Sequence, residues 1–412
     1  MTPPDHVLAD VRVPVSLLAA PDRFGGRPEG GFYRGDLLIR QGRAAGMGDW
    51  PDLPRIEGRG RILLPVLTDP HVHLDKCHSA HRLPGIGGDL MAAIAAQGRD
   101  KARWTETDIR ARAERGLAEL CAAGVARVRS HIDWGTATDP AAVPMAWTVA
   151  RDLSRDWSDR IELQLSALID PPVLADPDLA GPIAARIARD GGVLGSFVSL
   201  QPDRAAAIAA AVDLSGRYGL PLDFHVDEGL DPAMNGLALI AEAVLRREHQ
   251  GPVLCGHASS LANLSGADLG ATLEKVAQAG LAVVSLPTTN LYLQSRQTGA
   301  TPDRRGITRL HELAAAGVTV ALGCDNVRDA FFPLGTHDPL AILGLAVPAL
   351  QLDPPFERWL PLVTTNAARA MGAAPVAIDR AGSADLFLTE ATDMADLLAA
   401  PARVRLSTLI PV

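Results

Sequence analysis

Several features that would assign a chain of this length to a special class are scarce or missing here. Only 4 cysteines occur in 412 residues, at positions 77, 121, 255 and 324, and none forms a CxxC pair. That argues against a disulfide framework or a zinc knuckle and leaves the thiols as reduced, buried, small apolar groups. No apolar run reaches about 18 residues, the length a bilayer-spanning helix needs. The amino terminus lacks the basic, apolar, small-residue succession of a signal peptide. A soluble, cytoplasmic protein is therefore expected. Basic excess is missing too: 39 Lys and Arg stand against 48 Asp and Glu, a net charge of -9. Nucleic-acid grooves and anionic membrane faces are bound by clustered cations, so neither partner is expected. A small molecule or another subunit is. Internal repeats and low-complexity tracts are absent. What is present is 47% hydrophobic residues, few of them aromatic, which is ample for a large buried core.

From about residue 64 onward, short apolar runs alternate with longer segments of helical period, the pattern of successive βα units. Eight runs can be counted, at 62–67, 125–130, 161–169, 193–200, 221–224, 252–255, 281–286 and 318–323. Between them lie helical segments such as 107–123, 203–218, 236–248 and 267–280. Eight parallel strands with helical crossovers close into a (β/α)8 TIM barrel, with a doubly wound open sheet as the alternative. The two ends read differently, with short alternating runs and turn signals at 32–40, 384–388 and 404–409. A small β-sandwich domain formed by residues 1–62 and 373–412, beside a barrel of residues 63–372, is the expected organisation.

Histidines and acids gather where the runs end. Asp69-Pro-His71-Val-His73-Leu-Asp75 follows the first run, His131-Ile-Asp133 the second, His225-Val-Asp-Glu228 the fifth, Gly256-His257 the sixth and Asp325-Asn326 the eighth. Chemistry in a (β/α)8 barrel sits at the carboxyl ends of the strands. Two histidines separated by one residue on extended chain point to the same side, so both can reach one ion. Taken singly, the HxH is incidental in most chains, His257 reads as a core histidine, Asp325 as a cap or turn residue, and Glu228 as a solvated loop acid. Their placement at the same relative point of successive strands favours a metal site.

These residues resemble the amidohydrolase superfamily, and within it the cytosine deaminase branch. The marks are His71-Val-His73-Leu-Asp75, Arg129-Ser-His131-Ile-Asp133, His225-Val-Asp-Glu228, Gly256-His257, Asn290-Leu-Tyr-Leu-Gln294-Ser-Arg296, Arg304-Arg-Gly-Ile-Thr308, and Asp325-Asn326 with Pro333-Leu-Gly-Thr336. The likeness spans residues 60–370. It implies His71, His73, His225 and Asp325 as ligands of one divalent ion, Zn2+ or Fe2+, whose water has a pKa lowered to about 7. It implies His257, with Asp325, as the base for that water and Glu228 as the acid that protonates a ring nitrogen. Hydroxide then attacks the amino-bearing carbon and ammonia leaves. The fourth run ends Phe197-Val-Ser-Leu-Gln201 with no lysine for a carboxylated bridge, so one metal is expected. His131 is expected behind the ligands, and Lys76, Cys77, His78 and His81 as loop residues. By the same resemblance a homo-oligomer is expected.

Departures from the branch bear on the substrate. Asp170 stands where cytosine deaminases place a glutamine against the pyrimidine edge. A carboxylate only accepts hydrogen bonds, so it repels a cytosine carbonyl and suits two adjacent N–H donors, unless Asp170 is merely a surface turn residue. Asn326 replaces a second aspartate and Phe331 a tryptophan. The expected activity is deamination of a cytosine-, isocytosine- or creatinine-like ring or an aminotriazine. Release of an alkylamine, as in N-isopropylammelide amidohydrolases, is the alternative, since their first motif also continues Asp-Lys, as Asp75-Lys76 does. An inactive metal-retaining binding protein is the alternative outside enzymes.

Overall fold

The alternating segments at the amino end pair as a five-stranded sheet: β1 (His6–Pro14), β2 (Arg27–Glu29), β3 (Phe32–Arg40), β4 (Arg43–Gly48) and β5 (Arg55–Glu57). These are seen in a computed structural model that describes residues 5–409 apart from 85, 136–138, 140 and 298. β1 and β3 run antiparallel with Leu8 opposite Leu37, and both side chains are buried. After β6 (Leu63–Pro65) come the eight parallel strands: β7 (Leu67–Val72), β8 (Val125–Gly135), β9 (Glu162–Ile169), β10 (Val193–Val198), β11 (Leu222–Val226), β12 (Val253–His257), β13 (Ala282–Ser285) and β14 (Thr319–Leu322). Each pairs in parallel with the next. A parallel bridge between Val72 and Asp325 nearly closes the ring. The expected (β/α)8 barrel is what forms.

Helices between the strands bury one face on the ring. In Glu106–Ala122, capped by the Thr105 hydroxyl accepting from Asp108 N–H, the buried Ile109, Ala113, Leu117 and Leu120 recur every three to four residues. That stripe is the 3.6-residue period of a helix with one side on a core. Among the described residues no helix is long and apolar enough to cross a membrane.

Some expected boundaries move. The run 62–67 is split: Leu63–Pro65 pairs antiparallel with β15 (Leu386–Thr389), and the first barrel strand begins only at Leu67. The last run forms strand only through β16 (Arg403–Arg405), after which Leu406–Thr408 makes a 3-10 turn. The fifth and sixth barrel strands run on past Phe224 and Cys255 to include His225 and His257. The division of the chain into a barrel and a terminal β-unit is our proposal. It is supported by two sheets drawn only from the ends, joined where Ala44 N–H donates to Ala381 O at 3.1 Å. The pairing of β6 with β15 argues for drawing the boundary after residue 65.

Candidate active site

At a period of two, Asp69 and His71 leave β7 on one side, with His73 just beyond, as do Arg129, His131 and Asp133 on β8 and Asp223 and His225 on β11. They meet inside the ring. Arg129 Nη1 donates to Asp223 Oδ2 at 2.8 Å, and His131 Nε2 lies 3.0 Å from Asp223 Oδ1. Beside them the Nε2 atoms of His71 and His225 are 3.1 Å apart, as are those of His225 and His73. Asp325 Oδ1 lies 3.5 Å from His71 Nε2 and 3.3 Å from His73 Nε2. Atoms bound to one ion at 2.0–2.1 Å stand roughly 2.9 Å apart at a right angle and roughly 3.4 Å apart at the tetrahedral angle. These four distances have that spacing. Room for the His71 ring comes from a glycine across the ring on β12: a Cβ at Gly256 would stand 2.8 Å from His71 Cε1. Asp227, His257, Ala258 and Asp325 all hold left-handed backbone, with φ of 51°, 70°, 49° and 59°. Such conformations are uncommon outside glycine and concentrate at functional sites.

The electrostatics fit a cation. Both Asp325 oxygens are buried and accept no hydrogen bond, a costly state for a carboxylate unless a positive charge faces it. Burial raises its carboxyl above the ordinary aspartate range. Burial, and then neighbouring imidazoles or, for His73, the Lys76 ammonium, push His71, His73 and His225 well below the ordinary histidine range. They are neutral, the form in which imidazole binds a metal. His131 also has a ring nitrogen within ligand range of His71 and His225, but its Nε2 faces Asp223. Burial alone would raise the Asp223 carboxyl; His131 and Arg129 outweigh it and hold it low.

Two further groups complete the arrangement. His257 Nε2 is 3.6 Å from Glu228 Oε2. Burial lowers His257 to about 4 and raises Glu228 well above the carboxylate range, with Asp325 adding to the rise. At neutral pH the histidine is thus uncharged, and the glutamic acid keeps its proton to a higher pH than an exposed one would. Asn290 Nδ2 lies 3.1 Å from His257 Nδ1, while Asn290 Oδ1 is buried without a partner. Turning the amide over puts that oxygen on Nδ1–H and leaves Nε2 free to take a proton.

Residues 159–410 match the sequence profile described as "Amidohydrolase family". The chain belongs to the amidohydrolase family. Members are generally dependent on a divalent metal, and the His and Asp clusters are suited to hold one. The chain is 34% identical to a pterin deaminase of Rhizobium rhizogenes, over 97% of this chain and 92% of that one. Its structure is similar to that of 5-methylcytosine deaminase from Klebsiella pneumoniae liganded with 5-fluorocytosine, with a TM-score of 0.80 and 25% identity, covering 97% and 95% of the two chains. N-isopropylammelide isopropylaminohydrolase from Burkholderia multivorans follows at 0.72 and 26%, with the same coverage.

In this amidohydrolase a cavity of about 430 Å3 opens onto His73, His225, His257 and Glu228, within the range of about 300–1,000 Å3 common for small-molecule sites. Asp170, Asn326 and Phe331 all line it. Asp170 is half-buried, follows β9 directly and makes no helix-capping bond. Burial, and then the Asp133 charge, raise its carboxyl. Asn326 is tied back, its Nδ2 donating to Asp329 Oδ2 at 2.7 Å.

Among the polar residues lining the cavity, Gln97 and Lys101 escaped the sequence reading, and Lys76 and Asp133 were given no role in the site. Lys76 is a buried wall residue and not a plain loop side chain. Its Nζ lies 2.8 Å from Asp133 Oδ1, 3.6 Å from Asp75 Oδ1 and 3.2 Å from His73 Nδ1. Burial would lower the ammonium's pKa, but the two carboxylates prevail and raise it. The signal in the sequence was the Asp75-Lys76 pair. His78 does stay away from the ligands: its Nε2 lies 3.5 Å from Glu119 Oε2, an oxygen shared with His337 Nδ1 at 3.0 Å. Cys77 is buried, its thiol donating to Leu74 O and Arg112 O.

Proposed function

We propose that this amidohydrolase is a metal-dependent hydrolytic deaminase of an amino-substituted nitrogen heterocycle, with 2-amino-4-oxopteridines (pterins) as the foremost substrate class. The observation that carries the reading is the pair formed by neutral His257 and a buried Glu228 whose carboxyl is raised, 3.6 Å apart beside a cluster of imidazole and carboxylate donors. His71, His73, His225 and Asp325 hold the ion, Zn2+ or Fe2+, as imidazole and carboxylate donors allow. The bound ion supplies a water acidified to about pKa 7, hence a nucleophile at neutral pH. Glu228 gives its proton to the ring nitrogen beside the amino-bearing carbon, which makes that carbon electrophilic. His257, with Asp325, takes the proton that the attacking water loses. A proton delivered to the amino group then lets ammonia leave.

The pterin class is supported by the 34% identity with a protein named for pterin deamination and by Asp170. A carboxylate at the cavity wall accepts from N–H donors of an amino-substituted ring and repels a bare carbonyl. Phe197, Leu168 and Phe331 add apolar surface for a flat ring. The test is ammonia release by the metal-loaded protein from pterin, isocytosine, cytosine, creatinine and aminotriazines, with metal content measured on the same sample. One bound metal without ammonia from any of these rings refutes the reading. A second reading, release of an alkylamine from an N-alkylated aminotriazine, is favoured by the buried Lys76 after Asp75 and by the N-isopropylammelide relative. Identifying the released amine separates the two.

A further inference from the structure

We infer that Gln97 is the side chain with which this cavity reads a lactam edge, an N–H beside a C=O, on its substrate. The inference rests on the deaminase reading above and adds a structural requirement to it. Gln97 belongs to the helix Leu90–Lys101, which Asp89 caps by accepting from Ala92 N–H. Leu90, Ile94, Gln97 and Lys101, spaced by four, three and four residues, share one face of that helix, and all four line the cavity. Gln97 is 2% exposed, and neither its Nε2 nor its Oε1 has a hydrogen-bond partner. Among the described residues it is the one buried side-chain amide with both atoms orphaned. The lysine at the end of the helix pairs with Asp133 on β8, which fixes the helix over the cavity.

A glutamine with no partner normally turns to water, because burying an unsatisfied amide costs folding free energy that nothing in the ligand-free protein returns. Its inward placement is explained if a ligand completes it. The other polar groups of the cavity do not duplicate its chemistry. Asp170 and Glu228 are carboxyl groups, Lys76 and Lys101 only donate and are engaged by Asp133, and the Asn326 nitrogen is taken by Asp329. Gln97 alone presents an unengaged amide donor and acceptor side by side in one plane, the complement of a ring lactam. A 2-amino-4-oxopteridine has such an edge at N3–H and C4=O, and isocytosine has the same one. An aminotriazine without an oxo group has none.

The test compares metal-loaded wild type with Q97M, which keeps the length of the side chain and removes its polar atoms. It measures kcat/KM for 2-amino-4-oxopteridine, the affinity for the product 2,4-dioxopteridine, and the Tm of each ligand-free protein. The expected result is a loss of about 10–100-fold in both kcat/KM and product affinity, as for a site built to hydrogen-bond its ligand. The loss falls mainly on KM, and the Tm is unchanged or raised. Unchanged product affinity overturns the assignment. So does a lowered Tm accompanying the loss, which makes Gln97 a structural residue. Wild type that binds the dioxopteridine through Gln97 but releases no ammonia refutes the deaminase reading and keeps the assignment; wild type that neither binds nor turns over refutes both.

Discussion

Replacing Asp325 by asparagine separates what a metal contributes to stability from what the residue's own charge costs. In the metal-free protein this carboxylate has no exposed surface and neither oxygen accepts a well-formed hydrogen bond, with His257 and the Thr289 hydroxyl offsetting only part of the cost of burial. Burial raises its folded-state value above the ordinary 3.8. Each unit of such a rise is about 1.4 kcal/mol against the folded state at neutral pH, and an unsatisfied buried polar group costs about 1–3 kcal/mol, more when charged. Metal-free D325N is therefore expected to be about 1–3 kcal/mol more stable than metal-free wild type at pH 7.5. A raised folded-state value means that the penalty is complete above that value and gone below the unfolded one, so the advantage of D325N shrinks as the pH is lowered towards 4. With metal the order inverts. Wild type gains about 4.1 kcal/mol at a free ion concentration of about 1,000 Kd, and D325N, lacking the anionic ligand, gains less. Urea unfolding of both proteins, with chelator and with zinc, measures all four states. The reasoning fails if metal-free D325N is less stable than metal-free wild type by more than about 1 kcal/mol, or if zinc stabilises both equally.

Three further outcomes are expected. E228Q lowers kcat by about 10^2–10^4 with KM within a few-fold, the usual loss for a general acid. Wild-type kcat falls as the pH rises through the elevated Glu228 value, because only the protonated acid works, and E228Q lacks that alkaline limb; a limb retained in E228Q assigns the proton elsewhere. D170Q raises the ratio of kcat/KM on cytosine to that on pterin by about tenfold or more, since an amide can donate to the carbonyl that a carboxylate repels, and an unchanged ratio removes Asp170 from substrate recognition. R129M costs about 3–5 kcal/mol of stability, because it leaves buried Asp223 without its guanidinium partner. The double variant R129M/D223N recovers part of that loss, and a single-variant cost below about 1 kcal/mol contradicts the importance of the pair.

The barrel was legible because its helices repeat at 3.6 residues and its strands are nearly continuous apolar runs. What misled the pattern was the site itself. β7 carries Asp69 and His71, and β11 and β12 carry His225 and His257, so inward positions that are apolar elsewhere are polar here. Hydropathy therefore stops these strands early, or begins the first one at Leu63 in a neighbouring sheet. Local conflict of this kind is expected at functional positions. The proposed ligand set came from spacing and family likeness. Lys76 was not, because its burial depends on Asp133, 57 positions along the chain. Gln97 leaves no mark in the sequence at all: its meaning lies in the absence of a partner, which only the folded helix reveals.

His71 and Asp325 belong to the two margins that meet where the ring of strands joins. Asp325 N–H donates to His71 O at 2.8 Å, and Cys324 N–H reaches the Asp69 carboxylate at 3.3 Å across 255 positions of chain. Bringing such remote segments together is the slow, entropically expensive part of making a barrel. A nascent chain has His71 and His73 early but cannot complete the proposed ligand set until the eighth strand has been made and docked. Metal capture thereby reports that the ring is finished. An ion held by the proposed ligands would be a clasp across its seam as well as a reagent inside it.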